Sequence, residues 1–209
     1  MTEIEGLDRI VEDIDDQIDD KDTVRELVMK SSRAIRRISK NVIQNIHRGN
    51  ECQEDLQEAL EEISKIKSLV EDHPELYHAG FLRNGFQELA EAHILWSMTN
   101  DEEPKSPEEL DITPSSYVLG LADVVGELRR MVLDELAEGN LERARTLHRK
   151  MEDIKNMLME FEYPNALLPI RNKQDMARNL VEKTRGDIAS SVRNERLIEK
   201  MDEVMEDLD

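Results

Sequence analysis

The sequence has few of the residues that disulfide-bonded, β-rich or membrane-spanning proteins need. Only one cysteine, eight glycines, six prolines and 3% aromatic residues occur among its 209 residues. A lone cysteine, Cys52, excludes an internal disulfide framework and is typical of a reducing cytoplasm; we expect it to be an inert surface or interface thiol. No apolar run approaches the roughly 20 residues that span a bilayer, and the acidic start does not resemble a signal peptide. We therefore expect a cytoplasmic protein with no membrane partner.

Several common catalytic motifs are absent from the sequence. It has no phosphate-binding glycine loop, no GxSxG, no CxxC and no HExxH. None of its five histidines is followed by another four residues later, which argues against a zinc site built on one helix. His93 lies on an apolar helix face, where we expect a buried core histidine and not a ligand.

The composition that remains is that of an all-α protein. Charged residues make up 36% of the chain, Glu, Leu, Ile, Arg and Lys are frequent, and strand patterns are missing. We predict one domain over residues 1–209. Apolar periodicity, starting at Ile4, and cap residues predict helices at about 4–18, 22–47, 50–71, 74–99, 113–138, 141–161, 170–188 and 190–209. The pattern leaves open whether the first two form one helix. Gly120 and Gly126 inside a helix predict close helix packing or approach of a ligand.

A basic stripe stands out in a chain whose net charge is -20. Residues 27–48 contain no acid and six cations. On a helical wheel, the side chains of Arg33, Arg37, Lys40 and Gln44 fall within roughly 60° of each other. Such a stripe could bind the phosphates of a nucleic acid, or could be a solvated face that pairs with acids of a neighbouring helix. No aromatic residue interleaves with it, so base stacking is not indicated.

Two apolar segments each carry a pair of acids at helical spacing. Glu88 and Glu91 lie within residues 81–96, and Asp123 and Glu127 lie within residues 117–136. Each pair shares one helix face, and no basic residue one turn from either glutamate could pair with it. If the two helices pack antiparallel, all four carboxylates can converge, and such a cluster suits a hard divalent cation. Metal-assisted phosphodiester hydrolysis would follow most directly. In a chain with 48 acids, such pairs can also be purely structural.

Three segments together resemble the translin superfamily, and specifically its translin-associated factor X branch. They are KSSRAIRRISKNVIQNIHR at 30–48, NGFQELAEA at 84–92 and YVLGLADVVGELRRM at 117–131. In translin proper the acids of the last two segments are largely neutral, whereas this chain keeps them. The chain is shorter at its N-terminus and more acidic than eukaryotic members of the branch, so it is most similar to an archaeal or other prokaryotic homologue.

The resemblance implies a seven-helix protomer that assembles, commonly as an octamer, around single-stranded RNA or DNA. It implies endoribonuclease activity with Mg²⁺ or Mn²⁺, in which Glu88, Glu91, Asp123 and Glu127 bind the metal and catalyse cleavage. Contacts to nucleic acid would come from Arg33, Arg37, Lys40, His78 and Arg83.

Two alternatives stay open at this point. One is a non-catalytic, translin-like protein that binds single-stranded nucleic acid and whose acids are structural. The other is a helical scaffold whose apolar seams, such as that from Leu56 to Leu69, serve only protein partners. For His78 and Arg83, a capping or solvent-facing role is the competing interpretation.

Overall fold

The structure, a computed structural model, describes residues 6–206, and in that range all regular secondary structure is helical. Ile4, at the predicted start of the first helix, and residues 207–209 lie outside the described residues. No helix in this range combines the length and apolarity needed to cross a membrane. The helices are α1 (Leu7–His47), α2 (Gln53–Leu69), a 3-10 helix (Pro74–His78), α3 (Gly80–Thr99), α4 (Pro114–Ala137), α5 (Leu141–Met159) and α6 (Arg171–Glu206). The described residues therefore contain six α-helices and one short 3-10 helix, in line with the seven-helix protomer that the resemblance implies.

The two predicted N-terminal helices form a single helix, α1. Asp22 is the residue that could cap a separate helix at 22–47, but it instead accepts a hydrogen bond from the Arg25 side chain one turn later, at 2.7 Å. No glycine or proline interrupts residues 7–47, so nothing breaks the backbone ladder. The helix ends at His47, as predicted, and Gly49 follows with a φ of 69°, a left-handed conformation that glycine adopts readily after a helix.

The helices predicted at 170–188 and 190–209 are likewise continuous within the described residues, as α6, so a separate start at Ser190 is wrong. The Ser190 hydroxyl donates to the carbonyl of Gly186, 2.9 Å away, within α6. This back-bonded geometry is one that serine adopts inside a helix, and it leaves the side chain unable to cap a new one.

The helix predicted at 74–99 begins later in the structure, where it is α3 (Gly80–Thr99). Residues Pro74–His78 form the 3-10 helix, and Ala79 is extended before α3 starts. Tyr77 explains the interruption, because its hydroxyl donates to the carbonyl of Asp111 and its ring packs on Phe86. Burial raises the pKa of this phenol to about 12, so it stays protonated and keeps donating even in alkaline solution in which an exposed tyrosine ionises.

Contacts divide the chain into two compact units, Met1–Ala90 with Lys105–Ser116, and Glu91–Pro104 with Tyr117–Asp209. The single-domain prediction stays a prediction. In the first unit α1 packs on α2, and in the second α5 packs on α6. The first core includes the buried residues Val28, Ile35, Val42, Ile63 and Ile66; the second includes Leu147, Met151, Ile154, Ala177 and Val181.

Close packing of α3 on α1 depends on Gly85. A Cβ atom at Gly85 would lie 2.8 Å from the Ser32 hydroxyl and 3.3 Å from the Ser32 carbonyl oxygen. The close helix packing expected at Gly126 is not observed, since a Cβ there meets no described atom within 4 Å; approach of a ligand there stays a prediction. Gly85 is thus a glycine at which α1 and α3 meet closely, and it lies one turn before Glu88.

We expect Gly85→Ala and Gly126→Ala to have opposite effects on stability. Both changes gain roughly 1 kcal/mol of helix propensity, and at Gly126 nothing opposes that gain. At Gly85 overpacking of about 1–3 kcal/mol outweighs it, giving a net loss of about 1 kcal/mol. Urea unfolding midpoints at equal protein concentration measure the difference. Equal stabilisation by both variants would show that Gly85 is not at a tight contact.

Candidate nucleic-acid interface and carboxylate pairs

The predicted basic stripe lines a groove on α1. Its volume is about 380 Å³, and we call it the basic groove; it is lined by Arg33, Arg36, Arg37, Lys40, Asn41 and Gln44. The sequence pattern supplied four of these residues and missed Arg36 and Asn41. Within residues 6–206, no ion pair involves Arg33, Arg37 or Lys40. These three exposed cations are therefore available to an anionic ligand, and the alternative that they pair with acids of a neighbouring helix is not supported.

Arg36 differs from the other cations of the groove because it reaches α3. Its Nε donates to Oε1 of Glu88 at 3.0 Å, with the two side chains 42% and 18% exposed. Glu88 has no cationic partner one turn away on its own helix, as expected, but it has one on α1. A sequence signal for Arg36 existed, because it lies in the acid-free segment four residues before Lys40. No local pattern could show a contact between residues 52 positions apart.

The ion pair with Arg36 engages only one of the two carboxylate oxygens of Glu88. Oε2 is buried and has no hydrogen-bond partner among the described residues. A buried carboxylate oxygen without a partner is unfavourable, since burial removes its hydration and nothing replaces it. It is the kind of oxygen that a bound cation would satisfy.

The second predicted pair of acids is also engaged. Lys173 of α6 donates to Oδ1 of Asp123, and both side chains are largely buried. Glu127, one turn further along α4, and Glu91 of α3 are half-buried and have interactions of their own. Two of the four predicted acids therefore carry a basic partner from another helix, which spacing along one helix cannot reveal.

No ready-made metal site is present in the described part of the chain. Among residues 6–206, no group of three or more His, Cys, Asp or Glu side chains is arranged to hold a metal ion. The ion pairs of Glu88 and Asp123 offer a physical reason, because a lysine or arginine occupies ligand oxygens that a cation would need. The metal-binding and catalytic roles of the four acids stay predictions.

His78 and Arg83 do not line the basic groove. His78 ends the 3-10 helix with its ring 5.5 Å from that of Tyr77, edge to face. It lines a second groove of about 450 Å³ that includes Lys67, Pro74, Tyr77 and Asp111. The Arg83 side chain is exposed. Contacts of these two residues to nucleic acid stay predictions.

Two minor predictions have clear outcomes. His93 is buried, with Nδ1 3.4 Å from the Ser97 hydroxyl, which confirms a core histidine. Cys52 is only 4% exposed, so its predicted surface position is wrong. Burial, and secondarily the charge of Asp55, raise the pKa of its thiol, which agrees with the expected lack of reactivity.

Comparison with known proteins identifies the family. A model of the translin family matches residues 94–185. An uncharacterized protein of Methanocaldococcus jannaschii is 39% identical over 188 residues, which cover 88% of this chain and 83% of that protein. This chain belongs to the translin family.

Solved structures agree with the translin-family assignment. AfC3PO, determined alone and in complex with duplex RNA, matches with a TM-score of 0.80 and 31% identity over 88% of this chain and 97% of that one. Apo-NeC3PO matches with a TM-score of 0.69 and 21% identity over 91% and 100%, a likeness that concerns the fold alone. The all-α, translin-type fold predicted from sequence is thus confirmed. The match to the translin family model includes Asp123 and Glu127, whereas Glu88 and the basic groove precede it.

Proposed function

We propose that this translin-family protein binds single-stranded RNA or DNA along the basic groove. The observation that carries the proposal is the row of exposed cations at Arg33, Arg37 and Lys40, which no described acid neutralises in a chain of net charge -20. A similar protein, AfC3PO, has been solved in complex with duplex RNA. Because aromatic residues are absent from the lining of the groove, recognition would rest on phosphates and not on stacked bases.

We further propose a metal-dependent endoribonuclease of the factor X branch, with an archaeal or other prokaryotic origin. Carboxylate oxygens are the donors that Mg²⁺ and Mn²⁺ prefer, and the buried, unpartnered Oε2 of Glu88 fits such an ion. Glu88, Glu91, Asp123 and Glu127 would hold the metal, which when bound would lower the pKa of a water molecule and stabilise developing charge. The groove would orient the phosphate backbone of the substrate.

A non-catalytic binding protein is the second candidate. The ion pairs Arg36–Glu88 and Lys173–Asp123, and the lack of a preformed metal-ligand group in residues 6–206, favour it. One assay separates the two candidates: cleavage of an end-labelled RNA with Mg²⁺, Mn²⁺ or EDTA, run beside binding of the same RNA. Metal-dependent cutting supports the nuclease. Binding without cutting in any metal supports the second candidate. If the protein binds duplex RNA more tightly than single-stranded RNA, duplex RNA and not single-stranded RNA would be its ligand.

We also propose that the protein self-associates, as a homo-octamer. Its two longest helices each leave an apolar stripe in solvent. On α1, Leu7, Ile10, Val11, Ile14 and Ile18 are between 39% and 59% exposed. On α6, five more are between 57% and 66% exposed: Leu197, Ile198, Met201, Val204 and Met205. Contiguous exposed apolar residues at heptad-like spacing are typical of helix–helix interfaces.

Polar substitution within the α1 stripe is expected to reduce the assembled mass. Val11→Asp/Ile14→Asp adds two charges to a surface that association would bury, and sedimentation velocity measures the result. Asp13→Asn/Asp16→Asn, on the same helix segment, serves as control and should keep the mass of the wild type. Unchanged mass of the first variant would exclude this stripe from the interface.

A further inference from the structure

Arg36 contributes to two different features of the molecule. Its Nε holds Oε1 of Glu88 at 3.0 Å, and its side chain, 42% exposed, lines the basic groove. The other cations of the groove have no acid partner in residues 6–206. Arg36 is thus in a position to contact both an anion bound in the groove and the Glu88 carboxylate.

Glu88 uses only part of the hydrogen-bonding capacity of Arg36. A guanidinium has five N–H donors in a planar fork, suited to binding phosphate or carboxylate with two parallel bonds. The carboxylate uses the Nε donor alone, and the terminal NH₂ groups have no partner among the described residues. While Nε donates to Glu88, a phosphate cannot form two parallel hydrogen bonds with Nε and the adjacent terminal nitrogen. The positive charge of Arg36 is also partly neutralised by the carboxylate.

The Glu88 side of the pair is also poorly satisfied. The side chain is 18% exposed, and its buried Oε2 has no described hydrogen-bond partner. Close packing of Gly85 on Ser32 sets the position of Glu88 one turn later, beside Arg36, which lies one turn after Ser32. The pair therefore rests on a fixed helix contact, but through a single hydrogen bond, and a phosphate offering two could displace it.

We infer that Arg36 is a positioning residue that exchanges between Glu88 and a backbone phosphate of bound nucleic acid. The inference rests on the proposed binding to the basic groove. With the groove empty, Arg36 restrains the carboxylate; with a phosphate bound, Arg36 turns to the phosphate and the carboxylate is released. Because such coupling is reciprocal, removing the charge of Glu88 must strengthen nucleic-acid binding, and must do so only through Arg36.

A double-mutant cycle tests this in EDTA, so that no metal contributes. Fluorescence anisotropy of a labelled single-stranded RNA gives Kd for the wild type, Glu88→Gln, Arg36→Gln and the double variant. We expect Glu88→Gln to tighten binding about fivefold or more, and to have no effect in the Arg36→Gln background. The control cycle uses Arg33→Gln, which weakens binding but lacks contact with Glu88, so the gain from Glu88→Gln should persist there.

Three outcomes would overturn the inference. An equal gain in the Arg36→Gln background would mean that Glu88 acts only as a nearby negative charge. No gain in the wild-type background, with RNA still bound, would mean that Glu88 does not restrain Arg36, while the proposed binding function stands. No RNA binding by the wild type would overturn the proposed function itself. Melting temperatures check folding, and Arg36→Met, which keeps the aliphatic stem and removes every donor, replaces Arg36→Gln if that variant does not fold.

Discussion

Reversing two charges of the basic groove is expected to weaken binding of single-stranded RNA by roughly 100-fold at low salt. The variant is Arg33→Glu/Arg37→Glu, which turns two exposed, unpaired cations into anions. Each lost phosphate contact should also lower the slope of log K against log salt by about 0.7, so the slope should fall by about 1.4 in total. Titrations at several salt concentrations measure both effects.

A matched control separates the groove from overall charge. Lys105→Glu/Lys183→Glu alters the net charge by the same amount at two exposed positions outside the groove. It should retain the wild-type salt slope and lose little affinity. If both variants weaken binding equally, the phosphates do not bind at the groove. If neither does, RNA binding does not depend on the basic groove. The scaffold interpretation gains support if the wild type itself binds no RNA.

Under the proposed nuclease function, Glu127→Gln is expected to reduce metal-dependent RNA cleavage by about 100-fold or more while leaving RNA affinity near that of the wild type. Removing a carboxylate that holds a catalytic metal forfeits several kcal/mol of transition-state stabilisation, and about 1.4 kcal/mol corresponds to tenfold in rate. Glutamine keeps the size of the side chain, so the half-buried position should still pack. Single-turnover cleavage with Mn²⁺, beside anisotropy in EDTA, measures the two quantities.

The control for Glu127→Gln is Asp134→Asn, which removes one acid from an exposed position of the same helix. It should cleave at the wild-type rate. Cleavage by Glu127→Gln at the wild-type rate would refute its catalytic role, and lost cleavage together with a lower melting temperature would indicate a structural one.

Local periodicity predicted the helices well because each helix buries one face. Ile35 in α1, Ile63 in α2 and Met151 in α5, for example, are all buried. Errors arose where a polar residue had two possible roles. Asp22 and Ser190 can cap a helix or bond within one, and the choice depends on whether the flanking residues continue the helix.

The site was less predictable than the fold because its pairings are long-range. The basic stripe could be seen on a helical wheel, since its members are neighbours on one helix. The partners of Glu88 and Asp123 could not, because Arg36 and Lys173 lie 52 and 50 residues away in sequence. Helix spacing carries no information about which helix packs beside a given face. Glycine inside a helix directed attention to Gly120 and Gly126 and missed Gly85; at Gly126 nothing packs closely, whereas at Gly85 Ser32 does.

The length of α1 has a mechanical consequence. It runs without a break from Leu7 to His47, so one rod carries both the exposed apolar stripe and the basic groove. At 1.5 Å per residue, Ile14 and Arg36 are separated by about 33 Å along the axis. In an assembly joined through the apolar stripe of α1, this helix would keep the basic groove of each protomer at a constant distance from the interface between protomers. The spacing between neighbouring grooves would then be set by the number of residues in one helix, and inserting or deleting a turn between residues 18 and 30 would reset it.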